Sequence, residues 1–397
     1  MNNVFLFDPT CEMAIANSSP YYQPPQNIVH FTEQLSWLPS LLADSSDYLI
    51  SKHPYSDRFV DALMDLRRNL PRIVEEGQQY NFQRFIPWGW SPMIHHKYKS
   101  IKQMCDDAFF RMPNSQWNPE VQKYYERTFA LTVCKELINI DMHKDGLIAQ
   151  DELPIVVRSI TEFDEMLKRM HKAMIKLPLS SSGRGVLKVD TSSITENERG
   201  RVKKMIEAQS YIMLEKYLNI KAEFGMLFSY FEGEGLKFHG FSFTKTNNGR
   251  YCGNLVNRTP PSLSNSLLEG VRQELVPALT TQFKKHNLFD AYNGYFGVDA
   301  CIYNENGSLK INPCMEINLR MTMGHIALAL TELLAKTSQG EFGIYGGKNF
   351  EYFCAQMRNV KPLIISDRKI VSGFVSLSPE SNKARSGAYL IVDRNRN

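Results

Sequence analysis

The chain has 397 residues, of which 43% are hydrophobic and 22% are charged, and its formal net charge is +4. These are ordinary globular values, so we expect a sizeable core divided among two or three domains. Proteins that bind nucleic acid usually have a concentrated basic stripe, and a net charge this small does not indicate one. We therefore expect no nucleic-acid partner.

The cysteines and the apolar runs predict the compartment. The seven cysteines are scattered without any C-x-x-C spacing, which disfavours a zinc site and indicates a reducing compartment. The opening residues, MNNVFLFDPT, lack the basic region of a signal peptide. No apolar run approaches the roughly 18–20 residues that a membrane-spanning helix needs. We therefore expect a cytoplasmic protein without membrane contact.

The first part of the chain alternates strand and helix patterns. NVFLF at 3–7 and DYLIS at 47–51 have strand character, and the spacing at 57–70 predicts a charged amphipathic helix. FIPWGWSPM at 85–93 has the pattern of a turn-rich aromatic segment without regular structure. We therefore predict an α/β lobe over residues 1–112.

Two further lobes are predicted, at 113–210 and 211–397, so that the fold class is α/β (α+β). The middle lobe contains helices, a strand and a hairpin in the order 120–140, 153–159, 161–174, 175–190 and 196–208. The C-terminal lobe contains the strands YIMLEKYL, EFGMLFSYF, GLKFHGFSFTKTNN and RYCGNLV, a helix at 263–286, a hairpin at 295–320, and a tail from about 340 with one helix and two strands.

The predicted hairpin IKLPLSSSGRGVLKVD carries a loop without large side chains to bury. Lys176 ends its first strand, and a lysine there can place its charge against phosphate oxygens. Consecutive backbone N–H groups with two glycines can form an anion-binding concavity. On its own, such a loop is more often a solvated turn. Its candidate residues are Ser180, Ser181, Ser182, Gly183, Arg184 and Gly185.

A second stretch, PCMEINLRMTMGH, places polar residues on one face of a predicted strand. Glu316, Asn318 and Arg320 alternate with apolar residues, so they share that face. The Asn-Gly pair at 306–307 predicts a two-residue hairpin turn, which puts Asp299 diagonal to Glu316 on the same face. Two carboxylates and an amide oxygen suit Mg²⁺. Phosphate-binding groups at one end and metal ligands at the other imply a nucleoside triphosphate between them.

Two other patterns predict no site. His95 and His96 are adjacent and point apart on a helix or strand, which favours a surface or aromatic-packing role over a metal site. DMHKDGLIAQDE at 141–152 matches part of a calcium loop, but His143 occupies a ligand position and a strand with an early proline follows. We therefore expect no calcium binding.

Three motifs in order resemble the ATP-grasp superfamily: IKLPLSSSGRGV, LEKYL and GVDACIYNENGSLKINPCMEINLR. The resemblance covers roughly 115–335. EKYL is similar to the adenine hinge of biotin carboxylase, and E-x-N-x-R is similar to the metal-binding and catalytic strand of that enzyme. The resemblance implies an ATP-grasp fold with an N-terminal α/β lobe, and ATP with Mg²⁺ (or Mn²⁺) as cofactors.

The resemblance also implies roles for individual residues. Lys176 would contact the α- and β-phosphates, and the small-residue loop would close over the triphosphate. Glu215 would bind the adenine amino group, the backbone near Lys216 and Leu218 would complete the base contacts, and Glu223 would bind the ribose. The metal ligands would be Asp299, Glu316 and Asn318, and the catalytic residues would be Lys176 and Arg320.

The sequence departs from the family in its first basic residue. The family usually has an earlier phosphate-contacting lysine, and here the spacing favours Arg127 in YYERTFAL, with Lys97 and Lys135 as alternatives. An ion-pair or helix-surface role for Arg127 stays open. Lys245 lies on an intervening strand, where such proteins often place contacts to the γ-phosphate.

The resemblance implies carboxylate activation. ATP would phosphorylate a carboxylate, and an amine or thiol would then displace phosphate from the acyl phosphate. Two alternatives stay open: a phosphotransferase acting on a hydroxyl, and a nucleotide-binding protein without turnover. The expected partners are a small-molecule carboxylate and an amine, and the sequence is compatible with a homo-oligomer.

Overall fold

The structure is a computed structural model that describes residues 2–66, 69–140, 146–180, 185–247 and 250–394. Its strands form three sheets. The helices are α1 Cys11–Asn17, α2 Gln26–Gln34, α3 Asp57–Asp65, α4 Pro92–Lys97, α5 Lys99–Gln103, α6 Asp107–Arg111, α7 Gln122–Tyr125, α8 Arg127–Leu137, α9 Ile160–Met170, α10 Glu196–Gln209, α11 Asn265–Gly270, α12 Val276–Lys285, α13 Met323–Thr331 and α14 Phe350–Val360. None of the helices within these described ranges is long and apolar enough to cross a membrane.

The N-terminal sheet is parallel, as expected for a chain that alternates strands and helices. Its order is β3-β2-β1-β4, with β1 Asn3–Leu6, β2 Tyr48–Ile50, β3 Arg72–Ile73 and β4 Arg84–Pro87. The prediction that 85–93 lacks regular structure is wrong for its first residues, which belong to β4. The four residues of β4 are all buried, and Trp88 N continues the pairing by donating to Leu6 O at 2.7 Å. Burial against β1 therefore outweighs the turn propensity of Pro87.

The middle sheet is antiparallel and is covered by α9 and α10. Its order is β5-β8-β6-β7, with β5 Ile155–Val157, β6 Lys172–Lys176, β7 Val186–Asp190 and β8 Ile212–Lys216. The helix α10 begins with a capping box in which Thr195 and Glu198 satisfy each other's backbone N–H groups. The lobe boundaries at 112 and 210 stay predictions, and the pairing of β8 with β5 and β6 favours placing the second one after Lys216.

The third sheet is the largest and continues into the C-terminal tail. Its order is β13-β12-β9-β10-β11-β14-β17-β16-β15. Its strands are β9 Ile220–Phe231, β10 Gly235–Asn247, β11 Arg250–Val256, β12 Gly294–Glu305, β13 Ser308–Asn318, β14 Ser338–Gly346, β15 Ile364–Ser366, β16 Lys369–Ser376 and β17 Ser386–Arg394. The tail therefore contains more strands than the predicted two, and β14 joins them to β11.

The hairpin β12–β13 has the predicted turn but a different register beyond it. Glu305 pairs with Ser308, so the turn has two residues, but the register shifts farther along and Asp299 pairs directly with Glu316. The predicted diagonal relation is therefore wrong. The shift adds two residues to β13 around Pro313, which cannot donate a ladder hydrogen bond. Because two residues are added, the face of each side chain is preserved.

A buried histidine fastens α13 to the large sheet. His325 is 3% exposed; its Nε2 donates to Phe228 O at 3.2 Å, and its Nδ1 accepts from Thr322 N at 3.1 Å. Burial lowers the pKa of His325 from 6.5 to about 3. The unfolded chain therefore binds a proton below pH 6.5 that the native protein excludes, so native stability decreases as the pH falls.

We predict that this histidine accounts for about 2 kcal/mol of the stability lost between pH 7.5 and pH 5. His325→Gln removes the titrating group, so its destabilisation relative to wild type should be smaller at pH 5 than at pH 7.5. Urea unfolding at both pH values measures this difference, with His30→Gln as an exposed-histidine control. A difference independent of pH would contradict the prediction.

Candidate active site

The candidate site lies on one face of the large sheet, where Asp299 and Glu316 stand opposite each other on β12 and β13. The next strand contributes Gly225, which pairs with Asp299. A Cβ atom at Gly225 would lie 3.6 Å from Asp299 Oδ1 and 2.9 Å from Ser242 Oγ. The glycine therefore keeps the space beside the Asp299 carboxylate free of a side chain from β9.

The surroundings of Asp299 change its pKa. Burial, followed by the negative charge of Glu316, raises the pKa of Asp299 from 3.8 to about 7, against the opposing effects of Arg320 and Asn318. Asp299 Oδ2 accepts from Asn318 Nδ2 at 2.9 Å, and Arg320 Nη2 donates to Asn318 Oδ1 at 2.9 Å. The amide thus connects the aspartate to the arginine.

The N-terminal lobe reaches this site through Glu12, which sequence reasoning missed. Glu12 lies on α1, is 5% exposed, and forms an ion pair with Arg320 Nε. Met321 N donates to Trp88 O at 2.7 Å, which ties the same segment to the end of β4. The available signal was an acid within the apolar helix sequence CEMAIA, although 308 positions separate it from its partner.

Arg127 connects the start of the small-residue loop to β13. Its Nη2 lies 2.8 Å from Glu316 Oε2, and its Nη1 donates to Leu177 O at 2.6 Å and to Ser180 Oγ at 2.9 Å. The arginine is 7% exposed, whereas Lys97 and Lys135 are exposed. Arg127 is therefore the basic residue that the structure brings to the site, here as an ion-pair partner; phosphate contact stays a prediction.

Lys176 and Glu215 form a second ion pair on the middle sheet. Their side chains are 2.6 Å apart and diagonal across β6 and β8, and each is less than one-fifth exposed. Glu223 lies on β9 opposite Cys301. After burial, the charges of Glu223, Lys176 and Glu215 all affect the pKa of the Cys301 thiol, which is raised to about 12. Lys176 and Glu215 are therefore in direct contact, whereas Glu223 is placed only by its strand pairing with Cys301.

Other predicted residues are placed differently. Lys245 lies three residues beyond Ser242 on β10, which puts its side chain on the opposite sheet face, and it pairs there with Glu341. Lys216 directs its ammonium to Glu152 at 2.6 Å. The structure therefore does not bring either side chain to the site.

The remaining predicted residues concern the loop and the hinge. Gly185 closes the loop backbone, since its carbonyl accepts from Leu177 N at 2.9 Å. Leu218 is half-buried between β8 and β9, at the crossing from the middle sheet to the large one. The predicted loop residues that lie outside the described residues are Ser181, Ser182, Gly183 and Arg184.

The predicted metal ligands include two carboxylates, Asp299 on β12 and Glu316 on β13. Among the hydrogen bonds of the described residues, none engages Asp299 Oδ1 or Glu316 Oε1. The amide oxygen of Asn318 already accepts from Arg320, so its role as a third ligand stays a prediction. Among the residues that the structure describes, no cluster of three or more histidine, cysteine, aspartate or glutamate side chains is arranged to hold a metal.

Comparison with known proteins finds similarity in structure alone. No family model matches the sequence, and no curated protein matches it. N5-carboxyaminoimidazole synthetase from Staphylococcus aureus, crystallised with ADP, is 14% identical with a TM-score of 0.51, and the match covers 100% of this chain and 93% of that one. Biotin carboxylase from Campylobacter jejuni, crystallised with an ATP analogue, is 10% identical with a TM-score of 0.52, and the match covers 100% and 88% of the two chains.

A third structure, N5-carboxyaminoimidazole ribonucleotide synthetase from Thermus thermophilus, is 13% identical with a TM-score of 0.50 and coverage of 98% and 93%. These are ATP-grasp proteins. The chain has the ATP-grasp fold. The predicted fold class is confirmed, including the α/β lobe that precedes the grasp. At identities this low, the similarity establishes the ATP-grasp fold alone.

We predict that Arg127 stabilises the junction between α8, the small-residue loop and β13. Arg127→Ala leaves Glu316 without its partner and should cost about 2–3 kcal/mol of unfolding free energy. Arg127→Lys keeps the positive charge but loses the guanidinium donors that also bind Leu177 and Ser180. It should therefore lower the unfolding free energy less than Arg127→Ala, and it should speed amide exchange at 177–180.

Denaturant unfolding and hydrogen exchange measure the two effects. Lys203→Ala is the control, because Lys203 forms an exposed pair with Glu207 on α10 at 3.9 Å. Equal stability of Arg127→Ala and wild type would contradict the assignment.

Proposed function

We propose that the protein is an ATP- and Mg²⁺-dependent ligase that activates a carboxylate as an acyl phosphate for attack by an amine or thiol. The observation that carries the proposal is the arrangement of Asp299 and Glu316 opposite each other, with Arg320 joined to Asp299 through Asn318. This polar face belongs to the ATP-grasp fold, and similar structures were crystallised with ADP or an ATP analogue.

ATP would lie between the middle sheet and the large sheet. Lys176 and Glu215 form an ion pair, which nucleotide binding would have to break. The ammonium of Lys176 would then pair with phosphate oxygens, and Glu215 would accept from the adenine amino group. The base would contact the backbone at 216–218, where the chain crosses between the sheets, and Glu223 would accept from the ribose hydroxyls.

The residues present fit a Mg²⁺ ion. Burial, followed by the negative charge of Glu316, raises the pKa of Asp299 to about 7, and a cation bound by both carboxylates would favour the charged form of Asp299. Each carboxylate also keeps one oxygen that no described donor engages. Mg²⁺ is commonly held by one or two carboxylates plus substrate phosphates. When bound, the ion supplies charge neutralisation on the transferred phosphoryl group.

Arg320 would act at the reacting atoms. Its guanidinium is held by Glu12 and Asn318, so it needs little reorientation to stabilise negative charge on the carboxylate and the phosphoryl group. The carboxylate oxygen forms a bond to the γ-phosphorus while the bond to the β-phosphate oxygen breaks. The nucleophile then attacks the acyl carbon, and inorganic phosphate leaves.

Product analysis tests the reaction type. Candidate acids and amines are screened for release of ADP and phosphate, and the products are identified by mass spectrometry. The proposal expects ADP, free phosphate and a new amide or thioester in equal amounts. A stable phosphoester in place of free phosphate would identify a kinase. Binding of ATP without turnover for any acid–nucleophile pair would contradict the ligase proposal.

We predict that two lysines on β6 behave differently. Lys176→Ala should lower kcat/KM for ATP about 10²-fold, because it removes a positioned charge from the transferring phosphates. Lys172→Ala, on the same strand but 59% exposed and paired with Asp190, should leave kcat/KM unchanged. Steady-state kinetics of both variants measure kcat/KM for ATP. Equal decreases in the two variants would contradict the placement of Lys176 in the proposed site.

A further inference from the structure

Glu152 is a buried carboxylate that none of the roles proposed above uses. It ends the stretch DMHKDGLIAQDE and lies on the turn Gln150–Glu152, shortly before β5, with its side chain 3% exposed. A glutamate is almost never buried to this degree unless it is paired. The partners of Glu152 therefore show which parts of the fold it holds.

One oxygen of Glu152 is bound to the large sheet. Its Oε2 accepts from Tyr303 Oη at 2.7 Å, and Tyr303 is a buried residue of β12. The segment that carries Glu152 also pairs with β13, because Ile148 N donates to Ile311 O at 2.8 Å. Glu152 is therefore fixed against the β12–β13 hairpin.

The other oxygen of Glu152 is bound to the middle sheet. Its Oε1 accepts from Lys216 Nζ at 2.6 Å, and Lys216 is the last residue of β8. This hydrogen bond raises the pKa of Lys216, so its ammonium stays charged. Glu305 is a second partner of the ammonium at 3.2 Å, but its side chain is 24% exposed. The buried carboxylate of Glu152 thus joins the end of β8 to the hairpin of the large sheet.

The chain crosses from the middle sheet to the large sheet directly after Lys216, through the crossing segment, residues 217–219. The first amide of this segment donates to Lys172 O at 3.2 Å, and its last carbonyl accepts from Asn304 N at 3.0 Å. A buried ion pair is weak evidence for stability and is better suited to fixing one geometry. Loss of the Glu152 carboxylate would therefore release the start of the crossing segment from the hairpin.

We propose that Glu152 is a positioning residue for the nucleotide base. Acting through Lys216, it holds the crossing segment in the conformation that binds the adenine edge, so this backbone needs no ordering when the nucleotide binds. The proposal rests on the proposed function, which places the base against the backbone at 216–218. It adds that selection of adenine over guanine depends on a carboxylate that touches no substrate.

Hydrogen exchange of Glu152→Gln without nucleotide tests the hold on the crossing segment. Glutamine keeps the size of the side chain and a carbonyl acceptor but loses the negative charge that binds Lys216. Amide exchange at 217–219 should be about fivefold faster than in wild type. The control is Glu207→Gln, which neutralises an exposed acid paired with Lys203 on α10 and should leave this exchange unchanged.

Calorimetric titration of non-hydrolysable ATP and GTP analogues with Mg²⁺ tests the effect on the base. Wild type should prefer the ATP analogue, and Glu152→Gln should lower the ratio of the two affinities about fivefold, because a loosened backbone discriminates less between the bases. A merely structural role would weaken both analogues equally. Lys216→Gln and the double variant Glu152→Gln/Lys216→Gln should lower the ratio by the same factor, because the two side chains act through one contact.

The outcomes separate this proposal from the ligase proposal. If folded Glu152→Gln keeps the wild-type ratio and the wild-type exchange, or weakens both analogues equally, the positioning role is overturned and the ligase proposal stands. Additive effects in the double variant would overturn the action through Lys216. If Glu152→Gln does not fold, the ratio measured in Lys216→Gln takes its place. If folded wild type binds neither analogue, the ligase proposal fails and the role of Glu152 in base selection fails with it.

Discussion

The site depends on two carboxylates that face each other across β12 and β13. Burial and the negative charge of Glu316 raise the pKa of Asp299, and neighbouring polar side chains bind both carboxylates. Arg127 neutralises Glu316 from α8, and Asn318 donates to Asp299 while it also binds Arg320. The elements around the site are therefore arranged by electrostatics as much as by apolar packing.

Charged contacts also join the three sheets to one another. Arg127 binds both Leu177, directly after β6, and Glu316 on β13. Glu12 brings the N-terminal lobe to Arg320. The ammonium of Lys216, at the end of β8, lies 2.6 Å from a carboxylate oxygen of Glu152. It also lies 3.2 Å from a carboxylate oxygen of Glu305 in the β12–β13 hairpin. A change in the angle between the sheets would therefore have to break such pairs.

Local patterns in the sequence were sufficient where a short-range rule applies. Alternation placed Glu316 and Asn318 on one face, and the two-residue turn at 306–307 placed Asp299 on that same face. The register shift near Pro313 was missed, because its size depends on how the strands pack. Glu12 and β4 depend on tertiary burial, which a local pattern cannot show. The roles carried over for Lys176, Glu215 and Glu223 stay predictions, although the structure pairs Lys176 with Glu215.

The most direct test of the account is calorimetric titration of a non-hydrolysable ATP analogue with and without Mg²⁺. Wild type is compared with Asp299→Asn/Glu316→Gln and with Lys203→Gln as a surface control. The account predicts Mg²⁺-dependent binding to wild type and to the control, and loss of the Mg²⁺ dependence in the double variant. Absence of binding by folded wild type, or equal Mg²⁺ dependence in the double variant, would contradict a nucleotide–metal site on this sheet face.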